Sequence, residues 1–207
     1  MTDIQQLLAE IASSNWELLA VVLAIAYLLL AMREHIGCWF CALVSTAIYT
    51  RLYWDVSLFM DSLLNVYYMG MAVYGWYAWR RGGEDHQGIA IRTWPLTAHV
   101  IALSVIVVLA LINGFLLSRY TQAAFPYLDS LTTWASILTT WMVTRKVLEN
   151  WIYWIFIDAL SIYLYIERGL MLTAGLFALY VVIAVFGFLE WRKNYQQSEV
   201  FEAVLVE

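Results

Sequence analysis

The segment Ala72-Val73-Tyr74-Gly75-Trp76-Tyr77-Ala78-Trp79-Arg80-Arg81 returns later in the chain as Ala184-Val185-Phe186-Gly187-Phe188-Leu189-Glu190-Trp191-Arg192-Lys193. The glycine, the tryptophan and the basic pair fall in register, and each copy ends a long apolar run. The same spacing places Trp39 on Trp151, so the repeat covers roughly half of the chain. Duplicated halves are typical of membrane transporters, whose substrate binds where the halves meet.

The composition is that of an integral membrane protein. Hydrophobic residues make up 63% of the 207 residues and charged residues 13%, against about 45–50% and about 25% in soluble domains. The formal net charge of −5 is not accompanied by a basic patch, which argues against a nucleic-acid partner. Cys38 and Cys41 lie in an apolar run without further metal ligands, so we expect them to pack within a helix.

Seven segments are apolar enough to cross a bilayer core of about 30 Å, which takes about 20 helical residues. They are predicted at 16–32, 36–53, 56–79, 97–118, 130–145, 149–166 and 170–191. We therefore expect an all-α integral membrane protein, with residues 1–207 forming one transmembrane transporter domain. Eight of the eleven Lys and Arg residues fall on one side of these spans. This bias predicts a multi-pass protein with its N-terminus outside and its C-terminus in the cytoplasm.

The repeat and the topology together predict the order of the helices. Each copy holds three spans, so two consecutive copies would be inverted in the membrane. The fourth span, 97–118, acts as a linker helix that restores the direction between a first repeat at 16–81 and a second at 129–193. The prediction is a 3+1+3 arrangement of parallel triple-helix repeats. Trp79 and Trp191 then lie on the cytoplasmic face, where we expect them to anchor the chain at the level of the lipid headgroups.

The sixth span carries the polar residues that most need an explanation, because polar side chains are costly in hydrocarbon. Trp151, Trp154 and Asp158 share one helical face, and Asn150 begins the span. At 1.5 Å per residue, Asp158 lies about 13 Å deep, near the middle of the bilayer. Two indole rings and a carboxylate could bind a flat cation. The alternative is ordinary packing, with Asp158 bonded to a threonine or tyrosine.

The first repeat supplies further candidate substrate-binding residues on its second and third spans. Tyrosines in such positions also often bridge helices, so packing is the alternative for each. Glu17 and Asp129 open the first span of each repeat, where we expect them to cap helix N-termini, with attraction of a cation as the alternative. The further candidates are Trp39, Ser45, Tyr49, Asp61, Asn65 and Tyr68.

The sequence offers no chemistry of an enzyme. A reactive side chain would need a base within hydrogen-bond reach, and neither that pairing nor a phosphate-binding loop is evident. The histidines, His35, His86 and His99, are scattered. We therefore expect no catalytic residue, no cofactor and no metal site.

Three groups of residues make the chain resemble the Pnu family of bacterial vitamin transporters. They are Tyr74-Gly75-Trp76-Tyr77-Ala78-Trp79, Phe125-Pro126 followed by Asp129-Ser130, and Thr144-Arg145-Lys146 followed by Glu149-Asn150-Trp151 and Trp154. The resemblance implies a full-length relative of the SWEET sugar transporters, a homotrimer in the bacterial cytoplasmic (inner) membrane, and facilitated diffusion of a vitamin. It also implies functional coupling to a cytoplasmic kinase, which phosphorylates the vitamin and so traps it inside.

The vitamin is predicted from the family's branches for nicotinamide riboside, thiamine and riboflavin. In the nicotinamide riboside branch, the positions that match Asp158 and Asp61 are neutral, whereas this chain has two carboxylates. Ser45-Thr46 and the pattern Asp61…Asn65-Val66-Tyr67-Tyr68 also resemble the thiamine branch. The resemblance therefore favours thiamine, with nicotinamide riboside as the alternative and riboflavin behind both. A membrane assembly subunit that transports nothing is the alternative from a different class.

Overall fold

The computed structural model describes the backbone of residues 2–55, 59–83, 88–121 and 123–206, with the side chains of 2–14, 59–60, 199 and 201–206 left undescribed. Within these residues the regular secondary structure is helical, the helices are joined by turns and short extended stretches, and one isolated bridge pairs Arg92 with Val147. The seven helices are α1 (Thr2–Met32), α2 (Cys38–Asp55), α3 (Phe59–Arg81), α4 (Leu96–Tyr120), α5 (Pro126–Thr144), α6 (Asn150–Glu167) and α7 (Met171–Val206).

Each of the seven predicted spans coincides with a helix over the described residues, while 56–58 of the third span lie outside them. For the part of the chain that the structure describes, the prediction of an all-helical fold is confirmed. The largest differences are at the two ends, where α1 begins at Thr2 and α7 continues to Val206. Hydropathy marks only the apolar part of a helix, whereas Gln, Glu and Ala continue a helix readily into polar sequence. His86 lies outside the described residues.

Three of the described helices are long and apolar enough to cross a membrane by length and composition alone: Asn15–Met32, Leu96–Tyr120 and Met171–Ser198. The other four predicted spans are more polar. The surface of α4 is mostly apolar, and its outward side chains are among the largest exposed hydrophobic groups of the chain: Val100, Ile101, Leu103, Val105, Val107, Val108, Leu111, Ile112, Phe115 and Leu116. Exposure of an apolar surface of this length to water is unfavourable, whereas contact with lipid is favourable.

The chain divides into two compact units, residues 1–88 and 89–207. In the first unit α2 packs against both α1 and α3. In the second unit α6 packs against both α5 and α7, and α4 packs against α5. The contact between α4 and α5 is close because Gly114 leaves no side chain between the helices, and an added Cβ there would lie 2.5 Å from the ring of Tyr127.

Helix bounds recur with the spacing of the sequence repeat. The start of α2 matches the start of α6 at that spacing, and the C-terminal end of α1 matches the C-terminal end of α5. The turn after the first helix of each set also recurs. Glu34 and Lys146 both have positive φ, at 54° and 48°. Their backbone N–H groups donate to the carbonyls of Ala31 and Val143 at 3.0 Å, which ends each helix in the left-handed conformation.

Candidate functional site

The repeated glycine and tryptophan of the first unit form a close packing contact with α2. Gly75 of α3 lies against the ring of Trp39, and an added Cβ at Gly75 would come within 2.4 Å of that ring. One turn further along α3, the ring of Trp79 meets Trp39 edge-on, with 5.1 Å between centroids and 83° between planes. Both tryptophans are buried. The absence of a side chain at Gly75 therefore leaves room for the ring of Trp39, and the ring of Trp79 packs against Trp39 as well.

The second unit repeats this contact between α7 and α6. Gly187 lies against the ring of Trp151, where an added Cβ would come within 2.7 Å. Trp191 meets Trp151 edge-on at 5.5 Å and 89°. Trp151 is 2% exposed and Trp191 is fully buried. We call each set of two tryptophans and one glycine a clasp: Trp39, Gly75 and Trp79 in the first unit, and Trp151, Gly187 and Trp191 in the second.

The clasps correct the prediction that Trp79 and Trp191 are headgroup anchors. Both side chains are buried within their own unit, because the glycine four residues earlier lies on the same helical face and admits a second ring. Trp39 and Trp151 are core residues as well. Their packing explains the recurrence of the motif, and their predicted contact with substrate stays a prediction.

The predicted stripe on α6 contacts two different neighbours. Trp151 faces α7 through its clasp. Trp154 is partly buried and packs against a cluster formed by Ile106 of α4, Ala135 of α5 and Ile157 of α6. Trp151 therefore belongs to the clasp, whereas Trp154 and Asp158 lie outside it.

Asp158 is the most unusual polar residue of the second unit. Its side chain is buried, with 5% of the residue exposed. Among the residues that the structure describes, the carboxylate makes no hydrogen bond and no ion pair, so the predicted alternative of a bond to threonine or tyrosine is not observed. An unpartnered carboxylate in a membrane helix is costly and is retained where a function needs it.

Asn150 begins α6 and is fully buried. Its amide nitrogen donates to the carbonyl of Val147 at 2.7 Å, whereas its side-chain oxygen has no partner among the described residues. The corresponding residue of the first unit is Cys38, which is also fully buried. The second unit thus has an amide where the first has a thiol.

Several candidates of the first unit already have bonds or packing partners within that unit. The hydroxyl of Ser45 donates to the carbonyl of Ala20 at 2.8 Å and joins α2 to α1. Asn65 is buried and donates to the carbonyl of Asp61 at 2.9 Å. This use of Ser45 and Asn65 in packing makes the first unit the weaker candidate for substrate contacts.

The tyrosine candidates are partly buried and contact neighbouring tyrosine rings. Tyr49 stacks on Tyr53 with 5.5 Å between centroids, and Tyr68 is tilted against Tyr67 at 5.7 Å. Asp61 is exposed in the first turn of α3, where a carboxylate complements the helix dipole. The predicted contact of Tyr49, Asp61 and Tyr68 with substrate stays a prediction.

Glu17 and Asp129 do not cap helices. Glu17 lies well inside α1, which begins at Thr2, and it is exposed. Asp129 instead receives two hydrogen bonds from Nη2 of Arg168, at 2.8 Å and 2.7 Å. This ion pair joins the start of α5 to the turn after α6, and the two residues are 39 positions apart.

One further contact was not predicted from the sequence. The segment before α4 lies along the turn between α5 and α6: Arg92 exchanges backbone hydrogen bonds with Lys146 and Leu148, at 3.0 Å and 2.8 Å. The backbone N–H of Trp94 donates to the carboxylate of Glu149 at 3.3 Å. A ring nitrogen of His99 lies 3.0 Å from the hydroxyl of Tyr153.

Within the part of the chain that the structure describes, no group of three or more His, Cys, Asp or Glu side chains comes together to hold a metal ion. The two cysteines are free thiols.

Together, the seven helices and the long apolar surface of α4 are those of an integral membrane protein. Residues 14–193 match the family model described as nicotinamide mononucleotide transporter, and the chain belongs to this family.

Two curated relatives are named as vitamin transporters. The chain is 25% identical over 187 residues to the nicotinamide riboside transporter PnuC of Escherichia coli (strain K12), covering 78% of each chain. It is 23% identical over 128 residues to the riboflavin/roseoflavin transporter RibM of Streptomyces davaonensis, covering 59% of each.

The fold also matches a crystal structure of the vitamin B3 transporter PnuC. The TM-score is 0.71 at 20% identity, over 94% of this chain and 88% of the other. The predicted membership of the Pnu family is therefore confirmed. The predicted thiamine branch finds no support in these names, which mention nicotinamide riboside, riboflavin and vitamin B3.

Proposed function

We propose that this chain carries a flat, cationic B vitamin across the bacterial cytoplasmic membrane, with nicotinamide riboside as the first candidate substrate. The observation that carries the proposal is the buried, unpartnered carboxylate of Asp158, one turn from the partly buried ring of Trp154. A carboxylate compensates the charge of a cation, and an indole face adds a cation–π contact. Together, the carboxylate and the indole compensate a charged aromatic ring for the water that it loses on entering the site.

The relatives support nicotinamide riboside, whose pyridinium ring is a flat cation. Thiamine is the second candidate, and Asp158 favours it because the carboxylate can pair with the thiazolium or with the aminopyrimidine. Riboflavin is neutral and larger, so a buried carboxylate gives it no charge compensation.

The proposal includes the arrangement of the chain in the membrane. We place the helices as two parallel triple-helix repeats, α1–α3 and α5–α7, with α4 as the linker, in the manner of a full-length SWEET protein. The recurrence of the helix bounds at the spacing of the repeat supports this arrangement, and so do the two clasps. The N-terminus lies outside and the C-terminus inside, as the basic residues indicate, and the functional form is a homotrimer.

Binding of the vitamins tests the substrate class directly. In calorimetry with the purified protein, nicotinamide riboside and thiamine should bind with dissociation constants in the micromolar range or below, and riboflavin much more weakly. The phosphorylated vitamins should also bind weakly, since their phosphate brings negative charge towards Asp158. Binding of riboflavin alone would overturn the assignment to cationic vitamins, while the family would stand.

Uptake tests the transport mechanism. We expect facilitated diffusion, so empty proteoliposomes should equilibrate the labelled vitamin with the medium and not concentrate it. Vesicles loaded with a vitamin kinase and ATP should accumulate the phosphorylated product, because its charge prevents return. Accumulation in empty vesicles that collapses with a protonophore or without sodium would contradict this mechanism.

The same vesicles separate a transporter from an assembly subunit. A subunit that transports nothing would leave the internal vitamin at the level of protein-free vesicles, with or without the kinase.

A further inference from the structure

α5 is a polar helix for a membrane protein, since seven of its nineteen residues are serine or threonine. Most of these hydroxyls donate to a carbonyl of their own helix, as is usual for Ser and Thr in membrane helices. Ser130, Thr132, Thr133, Thr140 and Thr144 all do so, at 2.7 to 3.1 Å.

Thr139 is different. It is fully buried, yet its hydroxyl has no hydrogen-bond partner among the described residues. The next residue, Thr140, is also buried and donates to the carbonyl of Ser136 at 2.8 Å. A local carbonyl normally pairs with the hydroxyl of a helical threonine, so the hydroxyl of Thr139 is left available to a group outside its own helix.

Trp134 shows the same property on the same helix. Its indole N–H is buried and has no partner within the described part of the chain. The ring packs against the cluster of Ile106, Ala135 and Ile157, as does the ring of Trp154. Trp134 of α5 and Trp154 of α6 therefore border the same cluster, and Asp158 follows Ile157 directly.

The helical register places Thr139 at the same level. Ala135 and Ile157 belong to one cluster, and the short turn between α5 and α6 makes these helices antiparallel. Thr139 is four residues closer to that turn than Ala135, and Tyr153 is four residues closer than Ile157. At 1.5 Å per residue both steps are about 6 Å. Thr139 thus lies level with Tyr153 and Trp154.

We propose that α5 forms a second wall of the substrate site, where the Thr139 hydroxyl and the Trp134 indole N–H bond the polar substituents of the vitamin while α6 holds its charged ring. This inference rests on the proposed function. The ligand class is an aromatic cation that carries hydroxyl, amide or amine groups, because the indole can only donate and the hydroxyl can donate or accept. In the conformation described, Thr139 is closed off from solvent, so the vitamin reaches it through movement of the helices.

The test compares Thr139→Val with Thr140→Val, a matched control on the neighbouring residue. Valine keeps the shape of threonine and removes the hydroxyl. We expect Thr139→Val to weaken binding of nicotinamide riboside or thiamine about tenfold, the effect of losing one hydrogen bond to a ligand. The melting temperature without ligand should stay the same or rise, because an unpaired buried hydroxyl does not stabilise the fold. Thr140→Val should leave the affinity unchanged.

Two further variants separate a lost bond from a disturbed helix. Thr139→Ser keeps the hydroxyl and should bind like the unmodified protein, whereas an equal loss in Thr139→Ser and Thr139→Val would overturn the proposal. Trp134→Phe keeps most of the ring and should also weaken binding several-fold.

The failure of this inference is distinguishable from that of the proposed function. If Trp154→Ala weakens binding about thirtyfold while Thr139→Val and Trp134→Phe bind normally, α5 is not part of the site and the proposed function stands. If the unmodified protein binds neither vitamin, both the further inference and the proposed function are contradicted.

Discussion

Trp191→Ala is expected to destabilise the protein by about 3–5 kcal/mol, the range for removing a large aromatic side chain from a packed core. Trp191 is fully buried, and its edge contacts the ring of Trp151 at a centroid distance of 5.5 Å. The change leaves a cavity and removes an aromatic pair contact. The loss should appear as a lower melting temperature of the purified protein in detergent.

The matched control is Trp16→Ala, because Trp16 is 55% exposed and its removal creates no cavity. Gly187→Ala should destabilise the same clasp from the other side, by about 1–3 kcal/mol, since its Cβ would press on a ring that cannot move away. Equal melting temperatures of Trp191→Ala and Trp16→Ala would mean that the clasp does not hold α6 and α7 together.

Trp154→Ala is expected to weaken binding of the cationic vitamin about thirtyfold, since a desolvated cation–π contact contributes about 2 kcal/mol. Asp158→Asn keeps the size of the side chain and removes its charge, so it should weaken binding at least about tenfold by the same arithmetic. It should also shift the preference away from thiamine and towards nicotinamide riboside. Calorimetry with both vitamins measures each effect.

The control for these variants is Trp79→Ala, which breaks the clasp of the first unit. It should lower stability but hardly change affinity when binding is measured well below its melting temperature. A reversed result, in which Trp79→Ala removes binding while Trp154→Ala and Asp158→Asn bind normally, would place the substrate site elsewhere in the chain.

The sequence repeat was a good guide to the helices, because every copy of the pattern has to bury the same face. The helix bounds follow the spacing of the repeat even where composition is polar, as in α5 and α6. The same pattern was misleading for Trp79 and Trp191. A tryptophan beside two basic residues fits a headgroup anchor, and the glycine one turn earlier was the signal that it is buried instead.

Candidate site residues can be recognised in the sequence only where one residue is costly by itself. Asp158 stands out from its sequence neighbours because a carboxylate inside an apolar helix needs a reason. Thr139 does not, because a threonine that bonds its own helix and one that does not are identical in sequence. The pair of Asp129 and Arg168 was missed because contacts between residues far apart in the chain depend on packing that periodicity does not contain.

The clasps also restrict how the molecule can work. In each clasp a tryptophan ring packs directly against the backbone of a glycine on the other helix. Sliding of the two helices past each other is therefore unfavourable, because packed surfaces shift between discrete arrangements and do not deform gradually. We therefore expect α6 and α7 to move as one rigid body, and α2 and α3 as another. Trp154 and Asp158 lie on α6 and would move with it, whereas Thr139 and Trp134 lie on α5, which is outside the clasp. A change of conformation is therefore expected between these bodies and their neighbouring helices, and not within either clasp.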